Sequence, residues 1–368
     1  MNVLIAGGGT AGHVSPALAL GRRLAAEGDA VRFVGTATGL EATLVPAAGF
    51  PLSLIEARPF VRAISPRALA GPVAAIRSVA QCRPLVESSE VIVGMGGYVS
   101  VPVGLAAIRS RRPLVLHEQN AVPGLANRLL ARRARVVALT FAEAARMFVR
   151  SARTVVTGNP VRQEILRVRE ERVDLRRRAL IDFDLDQRRR TIAVFGGSQG
   201  ALHVNQAALD AVRRLGDRRD LQVLFQTGAA HLDRVRDLLP AGDRLLVRPV
   251  GFLENIELAY ALADLAVARA GANTVTELAA CGVPAILVPY PYATGRHQEA
   301  NARALQRAGA ARVMLDHSID GESLASAILG LIDDPDRLAR MSACALAWGR
   351  PDAADSLAGL VRTAGGAP

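Results

Sequence analysis

A histidine closes the first glycine-rich turn of the chain, GGGTAGH from Gly7 to His13, and its imidazole can carry a proton near neutral pH. Gly7, Gly9 and Gly12 follow an apolar run and precede a helical one, a GxGxxG spacing whose backbone amides can hold phosphate. A dinucleotide site would also need an acid near the end of the next strand to hold a ribose. That strand ends in Gly35, Thr36 and Ala37. The spacing alone leaves the ligand open. Open α/β sheets bind ligands at the carboxyl ends of their strands, so His13 is a candidate for proton transfer.

Two further turns lie in the second half. Gly196, Gly197, Ser198, Gln199 and Gly200 follow the run TIAVF and supply amides and a hydroxyl for an anion, or merely a tight strand-to-helix turn. Gly271, Ala272, Asn273 and Thr274 follow LAVARA, with Glu277 three positions beyond Thr274. Thr274 and Glu277 fit a capping box. They equally fit a site in which the amides meet a diphosphate and the Glu277 carboxylate accepts from two vicinal ribose hydroxyls. One nucleotide would bind across both turns.

Several chemistries are excluded. All 45 basic residues are arginine, so no Schiff-base or Walker lysine exists. There is no HExxH and no CxxC; Cys82, Cys281 and Cys344 lie far apart. Asp182, Asp184 and Asp186 adjoin an arginine run and are read as solvated linker rather than a metal site. A leaving diphosphate would therefore be stabilised by helix N-termini and arginine.

The elements that must position these groups are strands and helices in alternation. NVLIA, the glycine turn, a helical run from Pro16 and a second strand near AVRFVG make a βαβ opening, and the same grammar restarts at Thr191, just past the midpoint of 368 residues. Two similar doubly wound α/β domains follow, with a break at GNPVR from Gly158 to Arg162. No signal peptide is expected, because Met1 leads straight into the apolar run Val3 to Ala6 without a basic segment, and no membrane-spanning run, because glycines and Pro102 interrupt the uncharged stretch Val91 to Ile108.

Seven motifs, GGTAGH, MGGYVSVP, LHEQN, TGNPVR, GGSQGA, RAGANTVTE and RHQEANA, occur in order over essentially the whole chain, which thereby resembles the MurG family of glycosyltransferases. The resemblance implies a GT-B architecture, two Rossmann-like domains facing across a cleft. It places the acceptor and membrane-facing domain at 1–160, the UDP-GlcNAc-binding domain at 161–345, and a segment 346–368 packing back on the first domain. It implies inverting transfer of GlcNAc from UDP-GlcNAc to the 4-hydroxyl of the muramyl sugar of lipid I, giving lipid II and UDP, with no metal or cofactor required. The implied partners are those two substrates, an anionic membrane surface and other proteins of cell-wall synthesis, at the cytoplasmic face of the membrane.

The same resemblance assigns residues. Thr10, Ala11, Gly12, Asn120, Arg162 and Ser198 match substrate contacts, and His13 is either the general base or a ligand of the acceptor diphosphate. Tyr98 and Glu118 fall on the acceptor side. Leu253 matches the uracil contact, and Ala272, Asn273, Thr274, Val275, Thr276 and Glu277 the ribose and phosphate turn. Gln298 matches the reader of the sugar hydroxyls; PYATGRHQ is one residue longer than the family's pattern, which makes His297 its rival.

A UDP-GlcNAc epimerase or a transferase to a soluble acceptor would share the second half, but MGGYVS and LHEQN argue against both. An isoelectric point near 10.9 suggests nucleic acid, yet aromatics at 4% are too few to interleave with the arginines. The missing ribose acid weakens an NAD oxidoreductase. Membrane docking is expected between Arg58 and Arg83, where Leu69, Val73, Ile76 and Val79 recur at helical spacing among Arg62, Arg67 and Arg77, although an ordinary amphipathic helix covering the sheet has the same pattern.

Overall fold

The computed structural model describes residues 1–57, 71–149, 152–196, 201–239 and 244–366. They form two compact units, one of residues 1–162 with 350–368, the other of residues 163–349.

In the first unit, β1 (Asn2–Ala6), β2 (Ala30–Gly35), β3 (Leu52–Leu54), β4 (Val91–Gly94), β5 (Leu114–Glu118), β6 (Val136–Leu139) and β7 (Thr154–Val156) form a parallel sheet ordered β3-β2-β1-β4-β5-β6-β7. The central strands are apolar in nearly every residue because helices cover both faces, and buried clusters lie on each side. The helix Ala353–Gly365 belongs to this unit, where its Leu357, Ala358 and Val361 pack with Val3, Ile5, Leu20 and Val93.

The second unit repeats the plan with β8 (Arg190–Phe195), β9 (Leu221–Gln226), β10 (Leu246–Val250), β11 (Leu265–Ala268), β12 (Ala285–Leu287) and β13 (Ala311–Val313), ordered β10-β9-β8-β11-β12-β13. A boundary after residue 345 would cut the helix Pro335–Trp348, so the division falls after Gly349 and, at the other crossing, after Arg162 rather than 160.

The stretch read as solvated linker is instead largely a helix, Arg172–Asp182, of the second unit. Arg172 donates to the carbonyls of Ala263 and Cys281, and Arg176 to the carbonyl of Leu262. These are carbonyls at helix C-termini, which a guanidinium both hydrogen-bonds and neutralises. Asp182, Asp184 and Asp186 pair separately with Arg178, Arg248 and Arg188.

Of the expected membrane segment, Arg58, Arg62, Arg67 and Leu69 lie outside the described residues, as does the side chain of Val73. Within the helix Gly71–Glu87, Ile76 is 70% exposed while Val79 packs on the sheet cluster, so these two residues of the stripe divide between solvent and core. Among the described residues no helix is long and apolar enough to cross a membrane.

Each sheet reverses its strand order once, between β1 and β4 and between β8 and β11. At such a reversal neighbouring connections leave to opposite faces and open a crevice at the strand ends. The glycine turns that the sequence singles out start there.

Candidate functional site

In the first unit the turn after β1 leads into the helix Ala11–Ala26, with Thr10 as an extended N-cap and no acid in the first turn. Thr10, Ala11 and Gly12 are exposed at this helix N-terminus, whose positive dipole end is therefore available to an anion. His13 is half-buried, and its Nδ1 lies 3.0 Å from the Thr10 hydroxyl. Its ring lies along the MGGY turn after β4, where a Cβ on Gly96 would sit 3.1 Å from the imidazole Cδ2. Gly97, at φ 74°, tolerates this approach because it has no side chain. The reversal point thus brings His13 and the Gly96–Tyr98 turn together.

The end of β5 completes this edge. Glu118 is buried, and its carboxylate accepts from the amides of Asn120 and Gly124, both at 3.0 Å, and from Asn127 Nδ2 at 2.8 Å. Burial pushes its carboxyl above the usual range, and these donors recover only part of that rise. Its bonds run to the loop that carries Asn120. His117 is fully buried, with Nε2 donating to the Gly158 carbonyl at 3.0 Å and Nδ1 accepting from Gln119 Nε2 at 3.0 Å. Burial, with a smaller contribution from the charge of nearby His13, drives its pKa down to about 4. Arg162 lies half-buried at the end of this unit.

In the second unit Ser198 lies outside the described residues. The turn after β11 does not form the capping box: Gly271 is the N-cap of the helix Ala272–Ala280, which places Thr274 inside the first turn. Val275 is fully buried and Thr276 hydrogen-bonds back to the carbonyls of Ala272 and Asn273, so both side chains serve the helix. Glu277 is buried, and its Oε2 accepts from the Tyr260 hydroxyl at 2.9 Å. Tyr260 is itself held edge-on to Phe195 with ring centroids 5.5 Å apart. Leu253 is buried in the loop after β10, beside an exposed Phe252.

The two rivals at the next helix differ in their bonds. Gln298 Oε1 accepts from the amides of Tyr290 at 2.9 Å and Ala270 at 3.2 Å, which turns its NH2 group away from the backbone. His297 Nδ1 instead donates to the Thr294 carbonyl at 2.8 Å. Sequence reasoning missed three supports: Glu41 under the first turn, Tyr260 behind Glu277, and Arg269, which donates to the carbonyls of Val288 and Pro289. Only Glu41 carried a signal, as the first acid beyond the end of β2. Among the described residues no group of three or more His, Cys, Asp or Glu is placed to hold a metal.

Comparison with known proteins identifies the family of the chain. The profile of the glycosyltransferase family 28 N-terminal domain matches residues 3–139, and that of the family 28 C-terminal domain matches residues 191–357. The chain is 41% identical over 98% of its length, and 98% of the relative's, to a Halothermothrix orenii protein named UDP-N-acetylglucosamine-N-acetylmuramyl-(pentapeptide) pyrophosphoryl-undecaprenol N-acetylglucosamine transferase. A protein of the same name from Syntrophotalea carbinolica is 43% identical, again over 98% of both chains. Among solved structures, Acinetobacter baumannii MurG superposes with a TM-score of 0.80 at 31% identity, covering 98% of this chain and 99% of that one.

Proposed function

This chain belongs to the MurG family of glycosyltransferases, a GT-B fold, and from that membership we propose how its two units divide the reaction. The protein is a transferase that moves N-acetylglucosamine from UDP-N-acetylglucosamine to lipid I, forming lipid II. The first unit takes the acceptor and the second takes the donor.

The observation that carries this reading is the pairing of each sheet's reversal point with a glycine turn and a helix N-terminus, one beside His13 and the other leading to Glu277. In the second unit the amides of Ala272 to Thr274 meet the diphosphate, Glu277 accepts from the ribose hydroxyls, the backbone at Leu253 meets uracil, and Gln298 reads the sugar. Ser198 is assigned to the diphosphate from its motif. In the first unit His13 accepts the proton of the muramyl 4-hydroxyl as that oxygen attacks the anomeric carbon, with inversion, and UDP leaves with the bonding electrons. The N-terminus of the helix Ala11–Ala26 suits the acceptor diphosphate, Tyr98 lies on the acceptor side, and Asn120 and Arg162 add further substrate contacts, with Glu118 shaping the loop of Asn120.

His13→Ala is the test. Turnover falls by roughly a hundredfold while UDP-N-acetylglucosamine binding is preserved. A variant that keeps near-normal turnover across pH removes His13 as the base.

The acceptor carries an undecaprenyl chain, so the first unit docks peripherally on an anionic membrane, at its cytoplasmic face. Leu125 and Leu129, one turn apart on the helix Leu125–Leu130, are 70% and 57% exposed with Arg128 between them. With Ile76 and Arg77 they supply apolar insertion and positive charge, at about 1 kcal/mol per surface arginine.

A further inference from the structure

Beneath the first glycine turn lies a carboxylate with no part in the chemistry described so far. Glu41 opens the helix Glu41–Ala47 and is wholly buried. Its Oε2 accepts the Gly9 amide at 2.8 Å; its Oε1 accepts the Thr36 amide at 2.8 Å and the Thr36 hydroxyl at 2.9 Å. A Cβ on Gly8, Gly35 or Gly39 would overlap this side chain, so three backbone segments close upon it. Burial, the largest single influence, would raise its carboxyl, but the amides of Gly9, Thr36 and Glu41 itself, with the Thr36 hydroxyl, together outweigh burial and hold it below the usual range, ionised.

The network continues outward with a fixed direction. The Thr36 hydroxyl lies 3.0 Å from the Tyr98 hydroxyl, and the Tyr98 ring lies over Gly9, where a Cβ would come 3.0 Å from Cε1. An ionised carboxylate only accepts hydrogen bonds. The single hydroxyl hydrogen of Thr36 therefore goes to Glu41, and Thr36 Oγ1 accepts the hydrogen of Tyr98. The half-buried phenol is left with lone pairs alone to offer a ligand.

We propose that Glu41 is a positioning residue for the acceptor: acting through Thr36, it makes the Tyr98 phenol a hydrogen-bond acceptor for a hydroxyl or amide hydrogen of the muramyl unit. A diphosphate oxygen has no hydrogen to give and is disfavoured at this position. The inference rests on the first unit being the acceptor unit and adds which part of lipid I the tyrosine meets.

Steady-state kinetics of the full chain with a lipid I analogue test it. Thr36→Val keeps the shape of the side chain and removes the relay; Tyr98→Phe removes the phenol. Each raises the acceptor KM about tenfold and leaves the donor KM unchanged, the size expected for one lost hydrogen bond to a polar substrate group. Thr36→Ser restores the wild-type acceptor KM. The double variant Thr36→Val with Tyr98→Phe is no worse than Tyr98→Phe alone, because Thr36 acts only through the phenol. Multiplying effects in the double variant, or a donor KM that rises equally, would overturn the proposal. Wild-type turnover on the same analogue tests the parent assignment separately.

Discussion

The hydroxyl of Tyr260 donates to Glu277 across 2.9 Å, joining a helix that begins after the Leu253 loop to the helix that begins at the Gly271 turn. This bond fixes one oxygen of the carboxylate assigned to the ribose. Glu277→Ala is expected to weaken both UDP and UDP-N-acetylglucosamine by about tenfold or more, since a hydroxyl left unpaired in a closed site costs on the order of 1 to 3 kcal/mol. Tyr260→Phe leaves the carboxylate present but less constrained, and weakens both by a smaller factor. Calorimetry with each nucleotide measures this, and an unchanged UDP affinity for Glu277→Ala removes the ribose assignment.

Gln298 and His297 are separable by the same titrations. The Gln298 carbonyl is already occupied by two backbone amides, so the group left for the sugar is its NH2. Gln298→Glu keeps the acceptor for those amides and loses the donor. It is expected to weaken UDP-N-acetylglucosamine while sparing UDP, and His297→Ala to change neither. Equal loss for both ligands would contradict a contact with the sugar.

The stability of the protein should fall in mild acid because of His117. Above its ordinary pKa of 6.5 the ring is neutral in both folded and unfolded chains, and nothing is lost. Between 6.5 and about 4 only the unfolded chain takes up the proton, so unfolding becomes easier as pH falls, by roughly 3 kcal/mol over the full window. Urea melts at pH 7.5 and 5.0 record the decline, and His117→Gln should flatten it. A variant as acid-sensitive as the wild type would assign the loss to other groups.

Vesicle sedimentation checks the membrane face. The wild type is expected to bind anionic vesicles better than neutral ones and to release as salt rises. Leu125→Asp with Leu129→Asp should abolish binding with UDP-N-acetylglucosamine affinity intact. Undiminished binding would move the docking surface to another face.

Much of the scaffold was legible because both halves write strand, glycine turn and helix in the same order, and parallel strands buried on two faces read as continuous apolar runs. The position of His13 was legible for the same reason: it lies in the first turn of the helix that follows the glycine turn after the first strand. The supports were not. Tyr260 reads as one more apolar helix residue, and its bond to Glu277 exists only once two helices are packed. Arg172 and Arg176 read as solvated charge because composition does not reveal that a guanidinium will meet the carbonyl ends of neighbouring helices. Glu41 escaped because an acid was sought at the end of β2 to hold a ribose, whereas the acid found beyond it holds the glycine turn itself.

The return of the helix Ala353–Gly365 to the first sheet has a consequence for synthesis on the ribosome. Val3, Ile5 and Val93 are among the early residues to emerge, but the Leu357 and Val361 that cover them are made only after the whole second unit. The first unit therefore spends most of translation with an apolar face open, and it matures after the unit that follows it in sequence.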